Sequence, residues 1–187
     1  MTIDKIYSAQ DFGKSGLADS EFEACTFKNC SFTDCSLTDI HFAECFFENC
    51  DFTGSEINHT SFKDVSFINC KLLGLQFGDC NTFLLEFSFE KCNLTYSSFH
   101  KLKIKKTRFI GCKLEETDFT DTDLEESVFT ECDLGGAIFD KTNLAKADFR
   151  SSPYYSINPE RNRIKGARFS LAGLPGLLEK YGLRIEG

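Results

Sequence analysis

A chain of 187 residues is enough for one domain, and its formal charge of −8 makes a nucleic-acid backbone an unexpected direct partner. Its 21 Phe without a single Trp point to one strongly specified position in the fold. No apolar run approaches the ~20 residues of a membrane span and no signal pattern follows Met1, so the expected location is the cytoplasm, where the ten Cys stay reduced.

Residues Met1 to Gln10 are a lead-in, with Tyr7 on a register that Phe12 and Leu17 continue weakly. From Glu21 the register is plain: EFEAC, TFKNC, SFTDC, SLTDI, HFAEC, FFENC. A large apolar residue recurs every fifth position, at Phe22, Phe27, Phe32, Leu37, Phe42, Phe47 and Phe52. Two positions before each stands a small or half-buried type: Ser20, Cys25, Cys30, Cys35, Ile40, Cys45 and Cys50. This period matches neither a helix nor an ordinary strand, so it marks an internal repeat. The register holds through Ile57, Phe62, Phe67 and Leu72 to Phe77, and Thr82 breaks it. It resumes two residues late at Leu84 and continues by fives to Leu144 and Phe149, which places a two-residue insertion near Gly78 to Asn81.

The repeated unit is a small residue, Asp or Asn, Leu or Phe, and two free positions. CDLGG from Cys132, TNLAK from Thr142 and ADFRS from Ala147 are close copies of it. From about Phe12 to Phe149 the chain resembles the pentapeptide-repeat proteins. The resemblance implies an all-β solenoid, a right-handed quadrilateral β-helix with four five-residue faces per coil. The repeat region would be residues 1–150, and residues 151–187 a loop, a last repeat unit and a C-terminal cap.

Four faces predict a period of 20, and Cys pairs 25/45, 30/50, 50/70, 92/112 and 112/132 have that spacing. Corrected for the slip, one column reads Phe27, Phe47, Phe67, Phe89, Phe109, Phe129 and Phe149, with Tyr7 at its foot. A second reads Cys30, Cys50, Cys70, Cys92, Cys112 and Cys132. Phe22, Phe42, Phe62, Leu84, Ile104, Leu124, Leu144 and Ile164 would line a further face, opposite Leu37, Ile57, Phe77, Phe99, Phe119 and Phe139. Stacked at the inter-strand distance, roughly seven coils make a rod about 35 Å long. Every Cys occupies the same slot, and no pair has zinc spacing, so the thiols read as small buried hydrophobes. No disulfide, metal or cofactor is expected.

Ser151 to Lys165, with Pro153 and Pro159, has a loop composition, and Ala167 to Ser170 looks like a final unit. Gly173 to Gly182 reads as a short helix with Pro175 in its first turn and Gly182 as its stop. Leu174, Leu177, Leu178 and Tyr181 form one apolar stripe on it, suited either to capping the last coil or to a dimer interface. Leu183 and Ile185 alternate as a short strand would.

His41, His59 and His100 fall at outward positions beside no nucleophile, and no nucleotide-binding or hydrolase motif is present. A rod filled by stacked Phe has no evident pocket, so no catalytic residue is expected. The strongest surface signal is an acidic run without Lys or Arg: Glu115, Glu116, Asp118, Asp121, Asp123, Glu125, Glu126, Glu131 and Asp133, followed by Asp140. It reads either as a partner surface or as a solvated face. The second reading places Lys101, Asp121 and Lys141 in one column, Lys106, Glu126 and Lys146 in another, and Lys103 over Asp123. The resemblance extends to the Qnr-type quinolone-resistance branch through the acidity and the terminal pattern Leu177 to Ile185. It implies a non-enzymatic, dimeric mimic of duplex DNA acting on DNA gyrase and topoisomerase IV. The branch's longer projecting loops have no counterpart beyond the slip. The alternative is a protein-interaction scaffold with no topoisomerase role, and a lesser one is thiol redox sensing.

Overall fold

The structure is a computed structural model that describes residues 1–184. The chain winds as a parallel β-solenoid with four faces, here A to D after Phe22, Phe27, Phe32 and Leu37 at their centres. Residues 20 apart pair on each face, as in Phe22↔Phe42, Phe27↔Phe47, Ser31↔Asp51 and Ser36↔Glu56. Across the slip the offset is 22, as in Phe67↔Phe89 and Lys71↔Asn93, and beyond it 20 again, as in Phe89↔Phe109. Phe67 therefore lies under Phe89 as the register requires. Cys92 stands over Cys70 in the same way, and each thiol meets the Phe carbonyl of the coil below, Phe67 at 3.4 Å and Phe47 at 3.3 Å.

The face B column runs further than the repeats suggested. Nine rings from Tyr7 to Phe169 stack at centroid separations of 4.6 to 5.5 Å, nearly coplanar. Rings of the neighbouring faces meet them edge-on, so the core alternates offset stacks and T-shaped contacts, both favoured aromatic geometries.

The faces are of two kinds. Face B as far as Thr130, and face A as far as Lys63, are strands of two to four residues. Faces C and D, and face A above the slip, are turns in which the next slot residue's own N–H closes a tight bond to the central carbonyl, as in Thr122 N–H to Phe119 C=O at 3.1 Å. On turn faces the Asp or Asn before the central residue accepts the amide two residues on, as Asp118 does from Thr120 at 2.8 Å and Asn93 from Thr95 at 3.1 Å. This is an Asx turn, and it explains that position of the repeat. Most corners are turned by the residue two after the centre, held at positive φ, for example Asn29, Asp34, Asn49, Gly54 and Asn69. Asn, Asp and Gly tolerate that region best.

The slot before each centre is more than a small hydrophobe. Its side chain donates to the central carbonyl one coil below: Thr60 to Leu37, Thr122 to Phe99 and Thr142 to Phe119, each at 2.8 Å. Cysteine serves mainly behind strands, where the central carbonyl lacks the turn's own amide; Cys50, Cys70 and Cys132 reach it at 3.3 Å. All ten thiols are free and buried.

The position of the insertion needs correction. Cys80 still bonds Ile57 and Asn81 still pairs with Ser61, so residues 78–81 keep the first register. The extra residues lie within Thr82 to Glu86, and pairing resumes at Val65↔Phe87. Leu84 is consequently not in the core column: it is 56 % exposed at φ 54°, and Phe83 is 75 % exposed. Phe87, in a slot that Cys45, Val65 and Thr107 hold in neighbouring coils of face B, turns inward and packs on Phe77, Phe89 and Phe99. The slip also coincides with the change of face A from strand to turn.

At the far end, Ser151 to Asn162 replaces two faces without shifting the register, since Asn143 pairs with Arg163 and Asp148 with Arg168. The repeat thus resumes at Arg163, before the expected Ala167. Tyr155 and Ile157 close the core there, and Asn162 fills the slot by bonding Phe139 C=O at 2.9 Å. The terminal helix is broken into a 3₁₀ turn Leu171–Gly173, a single α turn Pro175–Leu178 and a 3₁₀ turn Glu179–Tyr181, ending on Gly182 at φ 60°. Pro175 opens the α turn as expected. Leu183 is in no strand, and Ile185 lies outside the described residues.

Candidate interaction surfaces

The winding distributes the acidic run over all four faces, because consecutive pentads turn successive corners. Glu115, Glu116 and Asp133 fall on face C, Asp118 and Asp121 on face D, Asp123, Glu125 and Glu126 on face A, and Glu131 at the end of face B. On face A the carboxylates are neutralised by the coils on either side. Lys105 bridges Asp123 at 3.4 Å and Glu125 at 2.7 Å, and Glu126 meets Lys146 at 2.8 Å and Lys106 at 3.8 Å. Hydrogen bonds from Lys105 and Lys146 hold Glu125 and Glu126 below the usual carboxylate range.

The Lys106–Glu126–Lys146 ladder is therefore present. Lys103 sits over Asp123 by backbone register, but Lys105 makes the ion pair. Lys101, Asp121 and Lys141 form no ion pair among the described residues. Six carboxylates of the run, Glu115, Glu116, Asp118, Asp121, Glu131 and Asp133, likewise have no ion-pair partner among the described residues. Three of these six, Glu115, Glu116 and Asp118, adjoin the corner between faces C and D, while Asp121 turns the next corner and Glu131 the one before it, with Asp133 beside Glu131. Asp118 and Asp133 are held by their own turns, Asp133 accepting Gly135 N–H at 3.1 Å.

The terminal stripe divides in two. Leu177 packs against the core, while Leu174, Leu178 and Tyr181 are 41, 37 and 54 % exposed. Beside them a groove of about 690 Å³ is lined by Tyr154, Tyr155, Pro175, Gly176, Leu178 and Leu183. The Tyr155 hydroxyl is buried there without a hydrogen-bond partner among the described residues, and burial raises its pKa. Sequence reasoning did not anticipate this groove, because Pro153 and Tyr154 belong to no repeat.

His41 and His59 are exposed and His100 half-buried. Among the described residues no cluster of His, Cys, Asp and Glu is arranged to hold a metal ion. No helix of the described residues is long and apolar enough to cross a membrane.

Comparison with protein families matches residues 40–109 and 103–174 to the family described as "Pentapeptide repeat region". Comparison with curated protein sequences finds no match. Among solved structures, a trypsin-treated variant of QnrB1, a plasmid-mediated fluoroquinolone resistance protein, superposes with a TM-score of 0.60 at 16 % identity, over 99 % of both chains. A second trypsin-treated QnrB1 variant gives 0.51 at 18 % identity, covering 97 % of this chain and 99 % of that one. At these identities the likeness concerns the fold.

Proposed function

This chain belongs to the pentapeptide-repeat family, and we propose that it is a non-enzymatic, acidic interaction rod that binds DNA gyrase or topoisomerase IV in place of duplex DNA. The observation that carries this reading is the density of unpaired charge. Duplex DNA presents one charge per ~1.7 Å of axis, and so about three over the ~5 Å height of one coil. The six free carboxylates of the run fall within a single 20-residue coil, three of them, Glu115, Glu116 and Asp118, beside one corner of the rod. A DNA-binding surface would meet there a local charge density like that of its substrate. Modulation of quinolone susceptibility, the property named for QnrB1, is the phenotype such binding would give.

A homodimer extends the surface. The exposed Leu174, Leu178 and Tyr181 are proposed as its interface, joining two rods across a two-fold axis. Sedimentation of the intact chain, of Leu178→Glu and of a chain ending at Ser170 tests this; a monomer in all three removes the dimer.

The functional test is titration of the protein into a gyrase supercoiling assay, with and without a quinolone. Binding should inhibit supercoiling or reduce quinolone-trapped cleavage, and Glu115→Lys with Glu116→Lys should weaken the effect. No change in either readout at micromolar protein rejects the topoisomerase role. The second reading, a scaffold for other proteins, is favoured by the lysine ladders of face A, which interrupt the acidic surface. Recovery of a specific non-topoisomerase partner, with gyrase absent from the complex, supports it.

A further inference from the structure

The bulge at Thr82 to Glu86 withholds from the coil above it the backbone amides that the next coils on that face receive. On face A the upper coils, from Asp123 onwards, each receive two backbone amides from the coil below. Ile104 N–H bonds Asp123 C=O at 2.9 Å and Lys106 N–H bonds Glu125 C=O at 2.9 Å; Leu124 and Glu126 repeat this with Asn143 and Ala145. Each first residue also donates downwards, as Asp123 does to Leu102 C=O at 2.8 Å. By this pattern Leu84 and Glu86 would serve Lys103 C=O and Lys105 C=O. Instead Glu86 N–H turns back to Phe62 C=O at 3.0 Å. Lys103 N–H, Lys103 C=O and Lys105 C=O have no hydrogen-bond partner among the described residues. The rod thus carries, in its middle, a short backbone edge open on its lower side.

This edge borders a groove of about 370 Å³. Leu85, Phe87 and Ile104 line it, with Lys103, Lys105 and Lys106 along its upper wall and one carboxylate, Glu86. Lys103 has no ion-pair partner among the described residues. The exposed Phe83 and Leu84 stand beside it on the same bulge. An unpaired edge is a template for another strand, and here it is flanked by positive charge on an otherwise acidic chain.

We propose that this groove binds an extended acidic peptide segment of a partner protein, which adds as a parallel strand beneath Lys103–Lys105. The segment offers amides at alternate positions to the two lysine carbonyls and one carbonyl to Lys103 N–H. Its carboxylates meet Lys103 and Lys106, and one apolar side chain points at Ile104 and Phe87. The site is separate from the acidic corner, so the failure of topoisomerase binding and the failure of this docking are read in different assays.

The probe is a fluorescein-labelled hexapeptide of alternating glutamate and valine, followed by fluorescence anisotropy with the full chain. Saturable binding below ~1 mM is expected, with a loss of ~10-fold or more when the two central donor amides are N-methylated. Lys103→Glu should weaken it ~5-fold or more. Removal of Thr82 and Phe83, which returns Leu84 to its core column, should abolish it. Amide exchange at Lys103 should be fast in the free protein, unlike that at Asp123, and slow on peptide addition. The proposal is overturned if the peptide does not saturate by ~1 mM, or if N-methylation or Lys103→Glu leaves its affinity unchanged. It is equally overturned if a well-folded deletion variant, checked by circular dichroism, binds as before.

Discussion

Phe109→Leu is expected to destabilise the rod far more than Phe169→Leu, although both residues belong to one column. Phe109 is stacked between Phe89 at 5.3 Å and Phe129 at 5.0 Å, and meets Phe99 at 5.8 Å and Phe119 at 5.9 Å edge-on. Phe169 has only Phe149 at 5.5 Å and Tyr155 at 5.4 Å, and is half-buried. An aromatic pair contributes ~0.5–1.5 kcal/mol beyond its buried area, and leucine keeps part of the packing. The mid-rod substitution should therefore cost about 3 kcal/mol and the end substitution about 1 kcal/mol. Urea unfolding followed by far-ultraviolet circular dichroism measures both. With a slope of ~3 kcal/mol per M, the midpoints should fall by ~1 M and ~0.3 M. Because coils touch only their neighbours, the mid-rod variant should also broaden or split the transition. Equal shifts for the two variants, or a larger one for Phe169→Leu, would refute the claim that the ladder of rings holds the coils together.

Leu84→Ala should change stability by less than ~0.5 kcal/mol, whereas Leu124→Ala, the equivalent position two coils on, should cost about 2–5 kcal/mol in the same urea titration. Thr122→Val deletes the 2.8 Å bond to Phe99 C=O, which still accepts Leu102 N–H at 3.1 Å, so a loss of about 1 kcal/mol is expected. Native protein at pH 8 should react slowly with a thiol reagent and release all ten equivalents only in denaturant, because burial pushes the Cys45 thiol up to about 12 and raises that of Cys80; one rapidly labelled thiol would reopen the redox reading. The hydrogen bond from Arg150 holds the Asp148 carboxyl below its ordinary 3.8. Stability from this pair is thus present above pH ~4 and lost as pH falls through the lower folded value, so Asp148→Asn should flatten the acid limb of a stability–pH curve.

Much of this architecture is legible in the primary structure because the inward residue of each pentad has a single neighbour set. A ring at position n can stack only on one at n + 20, so the Phe27 and Cys30 columns declare both the period and the number of faces. The two-residue slip is likewise visible as a phase change between Phe77 and Phe89. The choice of Asn or Asp before the central residue, and of Asn, Asp or Gly two after it, carried further information about turn faces and positive-φ corners.

What sequence could not decide is where a phase change is absorbed and what a coil does with the surplus. Apolar periodicity favours Leu84 inward. The backbone instead keeps its bonds through Asn81, expels Phe83 and Leu84, and fills the core with Phe87, because face A changes there from strand to turn. Charge pairing was undecidable for the same reason: register sets which carboxylate lies over which lysine, but side-chain reach selects Lys105 over Lys103 for Asp123. The aromatic spacing alone specifies a four-sided tower, since interior contacts are local and repeated. Its bulge, its open backbone edge and its unpaired carboxylates arise only when successive coils are laid against one another, where backbone bonds between coils outweigh the burial of two apolar side chains.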